Sequence, residues 1–389
     1  MASERELDLI RSAADGDLEG VRILVGRGAK VNARHKNGMT PLLAASLYGK
    51  IDVMQFLLLQ GADLKTRYQG DATVLILAAT QGQAAAVRLL LSKGANPNDR
   101  ARGGTTGLHA AAIGGHNEVI EALLAKDADP NTADQNGNTP LIGAAANGHL
   151  EAVCALLDSG ANVHARTTGG VTALTAALSN AAITWRLLEH GADPNVTDEK
   201  GRPALVLAAA EGSTEVARIL LERGADKDAA DPAGSTALIA AALYGHAAAA
   251  RVLLDAGCDP NRRAQNGTTP LIAAIVRGHT DTIKLLLEQG ADVNHPTTAG
   301  VTPLMIAANN SPEAAAILLG YDADVTATDE NGTDALYVAV LKGDAELVKA
   351  LLDKGADPGR PAHNGMTAAQ VAEAAGHTDL IALLNGGAD

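Results

Sequence analysis

The sequence predicts an all-α repeat solenoid with short β-hairpin turns, on three observations. A leucine in the phrase G-x-T-P/A-L recurs about every 33 residues, and the glycine of the phrase L-L-x-x-G-A-D keeps the same period. Hydrophobic residues make up 47% of the 389 residues, but aromatic residues only 2%. The core must therefore consist of Ala, Leu, Ile and Val, which suit thin layers of helices that pack closely on their neighbours.

The two markers fix the repeat boundaries. The leucine marker falls at Leu42, Leu75, Leu108, Leu141, Leu174, Leu205, Leu238, Leu271, Leu304 and Leu336, with Ala369 in the same place. The glycine marker falls at Gly28, Gly61, Gly94, Gly160, Gly191, Gly224, Gly257, Gly290, Gly355 and Gly387, and Asp127 and Asp322 replace it in two repeats. Because two independent markers share one period, the chain divides into about twelve repeats.

Each repeat reads as a hairpin followed by two helices, as repeat 5 illustrates. Residues 134–137 (D-Q-N-G) form a turn signal in which Gly can adopt a positive φ. Thr139 can cap a helix and Pro140 suits its first position, which predicts a short first helix over 141–146. Apolar residues at helical spacing predict a second helix over 150–157.

This unit resembles the ankyrin repeat, whose period and T-P-L-H-x-A signature it follows from about Glu4 to Asp389. The resemblance implies a curved array of helix-turn-helix units of 33 residues. In the family the signature His supports a hydrogen-bond network, but here it occurs only as His109. Packing is expected to replace the network at the matching positions, which are Leu43, Ile76, Ile142, Thr175, Val206, Ile239, Ile272, Met305 and Tyr337.

The whole chain, 1–389, is predicted to be one solenoid, because no linker, low-complexity tract or block of like charge divides it. Residues 1–33 are expected to form an N-terminal cap repeat, 34–366 the internal repeats and 367–389 a C-terminal cap repeat. Two internal units lack residues between their helices, at about 166–193 (repeat 6) and 296–324 (repeat 10).

Composition argues against several classes of partner. With 31 Lys and Arg against 45 Asp and Glu, the net charge is −14, which disfavours nucleic acid and anionic membrane surfaces. No apolar run is long enough for membrane insertion. The free cysteines Cys154 and Cys258 are too far apart for a disulfide and suggest a reducing compartment. A cytoplasmic location is expected, or a secreted or periplasmic one if a leader was removed.

The sequence contains no motif typical of catalysis, so we expect no enzymatic activity, no catalytic residues and no cofactor. Five histidines recur in the G-H turn between the two helices of a repeat, which favours a structural role over metal binding. These are His116, His149, His246, His279 and His377.

The resemblance implies that the two residues before the interhelix glycine point into the concave groove and vary with the partner; we call these the groove positions. Tyr48 and Tyr244 are two of only five tyrosines, and Tyr and Arg are favoured interface anchors. The alternative is that each Leu-Tyr pair packs against a neighbouring repeat. The predicted binding residues in the groove are Leu47, Tyr48, Gln81, Ile113, Leu243, Tyr244, Val276, Arg277 and Leu341.

The hairpin tips of repeats 2 to 4 carry a second signal, a basic stripe on an acidic protein. Such a stripe can orient a partner, or it can simply be a solvated face. Its predicted binding residues are Arg34, Lys36, Arg67, Arg100 and Arg102, together with Tyr68 in the unusual tip of repeat 3. Trp185, in the second helix of repeat 6, is expected to fill the core.

Together these features predict a non-catalytic protein–protein interaction module, an adaptor, inhibitor or scaffold, that is monomeric on its own. It would bind one or more partner proteins through the groove and the hairpin tips. One alternative is a small-molecule binder or enzyme with a pocket at repeats 6 and 10. Another is a self-assembling structural protein.

Overall fold

The computed structural model describes residues 3–362 and 364–386, and within them it confirms the all-α repeat solenoid. The described residues form 24 α-helices, arranged as successive helix pairs joined by hairpins. The marker Gly387, the rest of 387–389 in the C-terminal cap and residues 1 and 2 of the N-terminal cap lie outside the described residues.

The helices form two compact units, Met1–Asp193 and Pro194–Asp389. The first contains α1 (Glu4–Asp15), α2 (Leu18–Gly26), α3 (Pro41–Leu47), α4 (Ile51–Leu59), α5 (Val74–Thr80), α6 (Ala84–Ser92), α7 (Gly107–Gly114), α8 (Asn117–Leu124), α9 (Pro140–Ala146), α10 (Leu150–Asp158), α11 (Ala173–Ala176) and α12 (Ala181–Glu189). The second contains α13 (Ala204–Ala210), α14 (Thr214–Glu222), α15 (Ala237–Leu243), α16 (Ala247–Asp255), α17 (Pro270–Arg277), α18 (Thr280–Glu288), α19 (Pro303–Asn310), α20 (Pro312–Gly320), α21 (Ala335–Lys342), α22 (Ala345–Asp353), α23 (Ala368–Ala375) and α24 (Asp379–Leu384). Short 3-10 helices lie at Gln69–Asp71 and Arg102–Gly104. A single solenoid remains a prediction.

Within each unit the first helices of neighbouring repeats pack on one another, and so do the second helices. In the first unit α3 packs between α1 and α5, while α4 packs between α2 and α6. The faces that meet carry Ala on the first helices and Leu, Val or Ile on the second, as at the buried Ala45 and Leu57. Small side chains allow close layers, so the repeat period places one layer of core in each repeat.

The helices begin and end at the residues that the sequence predicts, a capping Thr before the first helix and a left-handed residue after the second. The side chain of Thr40 caps α3 by accepting a hydrogen bond from the Leu43 N–H at 3.3 Å, and Thr fills this place in most repeats. Asp127 and Asp322, which replace the marker glycine, adopt the left-handed conformation with φ of 60° and 58°. The conformation is therefore retained where the glycine is not.

Asparagine side chains at the hairpin bases join successive repeats. Asn32 donates to the Gly61 carbonyl at 3.1 Å and accepts from the Asp63 N–H at 2.9 Å. The bond therefore satisfies a carbonyl that the preceding helix leaves without a partner. The same arrangement recurs at Asn98, Asn131, Asn195 and Asn261.

The two shortened repeats lose their interhelix residues in different ways. In repeat 6 the first helix, α11, has only 4 residues, and the buried Thr184 hydroxyl donates to the Ala177 carbonyl at 3.0 Å. In repeat 10 Ser311 both ends α19 and caps α20. A side-chain hydrogen bond thus lies at each shortened junction; in repeat 10 the Ser311 hydroxyl accepts from the Ala314 N–H at 3.2 Å.

The signature histidine forms its expected network. His109 is buried; its Nδ1 accepts from the Thr106 N–H at 3.3 Å and its Nε2 lies 3.0 Å from the Asn138 carbonyl oxygen. Burial lowers the pKa of His109, so the imidazole is neutral near pH 7. Packing does not replace this network everywhere, because the Thr175 hydroxyl accepts from the Thr172 N–H at 2.9 Å in repeat 6.

Repeat 11 carries a buried carboxylate where most repeats have the capping Thr. Asp334 caps α21 by accepting from the Tyr337 N–H at 2.8 Å, and burial raises the pKa of Asp334 above its usual value. The ionised carboxylate therefore disfavours the folded state at neutral pH.

We expect Asp334→Thr to raise the free energy of unfolding near pH 7 by about 0.5–2 kcal/mol, the range for substitutions toward a consensus residue. Thr keeps a capping oxygen without the buried charge. Because the folded-state pKa is raised, a falling pH protonates Asp334 in the folded protein first and relieves the penalty. The advantage should thus shrink toward pH 4, as calorimetric unfolding of both proteins between pH 4 and 7 would measure. A gain that grew with acidity would contradict this account.

Candidate partner-binding groove

The groove positions lie at the ends of the first helices, and their largest side chains are exposed. Exposure is 57% for Tyr48, 54% for Tyr244 and 53% for Leu341. Ile113 and Val276 are also among the exposed large hydrophobic residues. Gln81 and Arg277 are exposed, and Leu47 and Leu243 are half-buried. All nine groove residues singled out in the sequence therefore have surface available to a partner.

In the second unit a cavity of about 530 Å³ opens beside the groove positions of repeats 8 and 9. Its walls come from α15 and α17, which supply Leu243 and Val276, and from the two hairpins that precede these helices. Leu341 does not line it. The lining consists of Ala233, Ser235, Ile239, Leu243, Ala264, Gln265, Asn266, Thr268, Ala273 and Val276. Cavities of this size, mainly apolar with a few polar groups, are typical of binding sites.

The Tyr244 side chain beside this cavity is oriented by its neighbours. Its ring stacks on His246 with ring centroids 6.4 Å apart and an angle of 28° between the planes. His246 Nε2 lies 3.1 Å from the Ala210 carbonyl oxygen of the preceding repeat, and His279 Nε2 lies 3.1 Å from the Leu243 carbonyl oxygen. These contacts restrict the end of α15 and the tyrosine ring, and we expect them to lower the entropy cost of binding.

The first unit has a less elaborate groove. Lys50, not His, follows Tyr48 and Gly49, so Tyr48 lacks a stacked imidazole at the corresponding position. Ile113 lies over Gly143 of the next repeat, since a Cβ at Gly143 would come within 2.9 Å of Ile113 Cγ1. The glycine thus leaves room for Ile113 at the surface.

The basic stripe is partly a set of links between repeats. The guanidinium of Arg34 donates to the Arg67 carbonyl, that of Arg67 to the Arg100 carbonyl at 2.8 Å, and that of Arg100 to the Ala133 carbonyl at 3.2 Å. Arg67 also lies 3.9 Å from the Asp99 carboxylate. These three arginines remain exposed, but each already bonds the next hairpin.

The other predicted tip residues differ in how free they are. Lys36 is exposed, and Arg102 is exposed but lies 3.7 Å from the Asp71 carboxylate. Tyr68 is half-buried beside the Gly38 turn of repeat 2. Lys36 is therefore the tip cation best placed to meet a partner.

The expectation for Trp185 is wrong, because this side chain is 42% exposed. The residues of α12 that enter the core are Ile183, Thr184, Leu187 and Leu188. Trp185 lies off the apolar stripe that these residues form along the helix.

Four of the five recurrent histidines, His116, His149, His246 and His279, place Nε2 at hydrogen-bonding distance from a carbonyl oxygen of the preceding repeat. Nε2 of His116 lies 3.2 Å from the Thr80 carbonyl oxygen and that of His149 3.0 Å from the Ile113 carbonyl oxygen. Within residues 3–362 and 364–386, no group of three His, Cys, Asp or Glu side chains is arranged to hold a metal ion. Burial raises the pKa of the Cys258 thiol to about 11. No helix in the described part of the chain is long and apolar enough to cross a membrane.

Sequence reasoning missed the hairpin side of the site. Ser235 and Thr268, each just before the capping Thr, line the cavity together with the tip residues Gln265 and Asn266. The available signal was that these positions vary among repeats while the Gly and Thr around them recur.

Comparison with known proteins agrees with this architecture. A family model described as ankyrin repeats (3 copies) matches residues 9–101, 96–167, 173–264, 256–329 and 304–389. The potassium channel AKT1 of Arabidopsis thaliana is 43% identical over 60 residues, which are 15% of this chain and 7% of the channel. The chain thus matches only a small part of that relative's length. With family models matching nearly its whole length, the chain belongs to the ankyrin-repeat family.

Proposed function

We propose that this chain is a non-catalytic protein–protein interaction module, an adaptor, inhibitor or scaffold, that binds its partner through the groove positions and hairpin tips. The observation that carries the proposal is the surface of repeats 8 and 9, where the exposed Val276 lines an apolar cavity and the exposed Tyr244 directly follows Leu243, another lining residue. Exposed apolar side chains grouped around a concavity are typical of interaction sites. The ankyrin-repeat fold adds a general expectation of protein partners.

The second unit is the principal site in this proposal, because Tyr244 stacks on His246 and directly follows Leu243, which lines the cavity. Tyr48 and Lys36 in the first unit form an accessory surface. The cavity lies in repeats 8 and 9, outside both shortened repeats, so it does not support the alternative of a small-molecule pocket in repeats 6 and 10. A cytoplasmic location, suggested by the free cysteines, belongs to the same proposal.

An affinity capture from lysate of the source organism tests this function with three baits. These are the wild type, a Tyr244→Ala/Val276→Asp variant, and an Arg251→Glu control on the exposed side of α16. Both groove residues are exposed, so the variant should keep its helical circular dichroism and melting temperature. We expect a protein captured by the wild type and the control but lost by the groove variant.

Hydrogen exchange with the purified partner provides the second readout. The partner should protect backbone amides in 233–277, around the cavity. Equal capture by all three baits, with no protection in that segment, would show that the groove of repeats 8 and 9 is not the binding surface.

A further inference from the structure

The cavity of repeats 8 and 9 has apolar walls, and two hydroxyl-bearing residues also line it. Ser235 and Thr268 use their N–H groups to bond Asp231 Oδ1 at 2.8 Å and Asn266 Oδ1 at 3.0 Å. Their hydroxyls make no hydrogen bond within residues 3–362 and 364–386, although both residues line the cavity. They are available to the backbone of a bound segment.

A charged residue directly follows the lining residue Val276, although it is not itself part of the cavity wall. Arg277 is exposed and follows Val276 directly, and in the described residues its guanidinium makes no ion pair or hydrogen bond. Two neighbouring charges are engaged: Arg263 lies 2.9 Å from His295 Nε2, and Asp231 Oδ1 accepts two N–H bonds. The hairpin of repeat 9 carries one further exposed cation, Arg262, which does not line the cavity.

An exposed guanidinium one residue from the wall of an apolar cavity favours a particular chemistry in a partner. The aliphatic walls from Ile239, Leu243, Ala273 and Val276 favour an aliphatic side chain. The guanidinium favours a carboxylate, which it can bind through two parallel hydrogen bonds. Because the chain carries a net charge of −14, a partner bearing many acidic residues would be repelled, so one carboxylate near the apolar anchor fits better than an acidic tract.

We propose that the groove of repeats 8 and 9 binds a segment of a partner protein that inserts one Leu, Ile or Met side chain into the cavity and places one carboxylate against Arg277. Its backbone bonds the Ser235 and Thr268 hydroxyls. This inference rests on the proposed function and specifies the partner of the same site.

The test is a selection of displayed random dodecapeptides on the purified full chain. We expect the enriched peptides to share an aliphatic residue with an Asp or Glu within a few positions. Their binding should fall about tenfold or more in Arg277→Glu, as expected for a close charge pair. Replacing the peptide's acid with Lys should restore binding to that variant. Arg277 lies in the last turn of α17, where a cation interacts favourably with the helix dipole. Its replacement can therefore also destabilise the protein, and binding is compared only between variants of equal melting temperature.

Two further variants separate the possible failures. Ala233→Trp, at an exposed hairpin position, should fill the cavity and abolish binding, whereas Arg251→Glu should leave it unchanged. Peptides that need the open cavity but carry no acid, and bind Arg277→Glu equally well, would overturn this inference while supporting the proposed function. The inference is overturned if no peptide is enriched, or if Ala233→Trp leaves peptide binding unchanged. In either case the lysate capture alone decides the proposed function.

Discussion

Replacing Tyr244 by Ala is expected to weaken binding of the captured partner by about 30- to 700-fold. An interface tyrosine that acts as a hot spot contributes about 2–4 kcal/mol on truncation, and about 1.4 kcal/mol changes affinity tenfold. Tyr244 is 54% exposed but is stacked on His246, which is itself held by the Ala210 carbonyl. We expect this stack to reduce the side-chain entropy that Tyr244 loses on binding, so that more of the contact energy appears as affinity. Titration calorimetry with purified partner measures the change.

Tyr48 provides the matched control, since it occupies the corresponding position of repeat 2 and is 57% exposed. Without a stacked imidazole, Tyr48→Ala should weaken binding far less. A Tyr244→Phe variant isolates the hydroxyl and should retain most of the affinity if the ring supplies the contact. If Tyr244→Ala changes affinity less than Tyr48→Ala, the principal site lies in the first unit.

The helix pairs were predictable because their signals are local and repeated. A capping Thr, a short Ala-rich stretch and a marker Gly recur with one period, and the structure places a helix start, a core layer and a left-handed turn at those positions. Asp127 and Asp322 show that the position within the repeat determines the backbone conformation even where the residue is not Gly, because they adopt positive φ values of 60° and 58°. The repeated context fixes the backbone there despite the strain for a residue with a Cβ.

The links between repeats could not be predicted in the same way. Arg34, Arg67 and Arg100 stand 33 residues apart, and sequence reasoning weighed them as partner-steering charges or a solvated face. The structure shows each guanidinium bonded to the next hairpin's backbone carbonyl. Whether a long side chain reaches that carbonyl depends on the spacing of neighbouring hairpins, which the sequence does not state.

The candidate site was half predictable. The groove positions follow from their place before the interhelix glycine. The cavity depends on how the hairpins fold over α15 and α17, so Ser235 and Thr268 escaped notice. Trp185 was misjudged for a different reason. Ile183, Leu187 and Leu188 already define the apolar stripe of α12, and Trp185 lies outside their helical spacing.

The histidine links predict a large difference between two glycines in the same unit. Gly245 and Gly278 both follow a first helix, with φ of 74° and 71°. A Cβ at Gly245 would come within 2.5 Å of His279 Nδ1, whereas a Cβ at Gly278 would have Ser311 Oγ as its nearest neighbour at 3.9 Å. Gly278→Ala should therefore cost only the strain of the left-handed conformation, about 1–2 kcal/mol.

Gly245→Ala should destabilise the protein by about 2–4 kcal/mol, because the same strain is joined by displacement of His279 and loss of its 3.1 Å bond to the Leu243 carbonyl. Hydrogen exchange of the amides in α15 and α17 measures the local free energy of opening, which suits a repeat array better than a single unfolding midpoint. Equal costs at the two glycines would mean that the imidazole moves aside without loss. Greater destabilisation at Gly245, accompanied by weaker partner binding, would show that the bond between His279 and the Leu243 carbonyl also sets the position of Leu243 and Tyr244 in the groove.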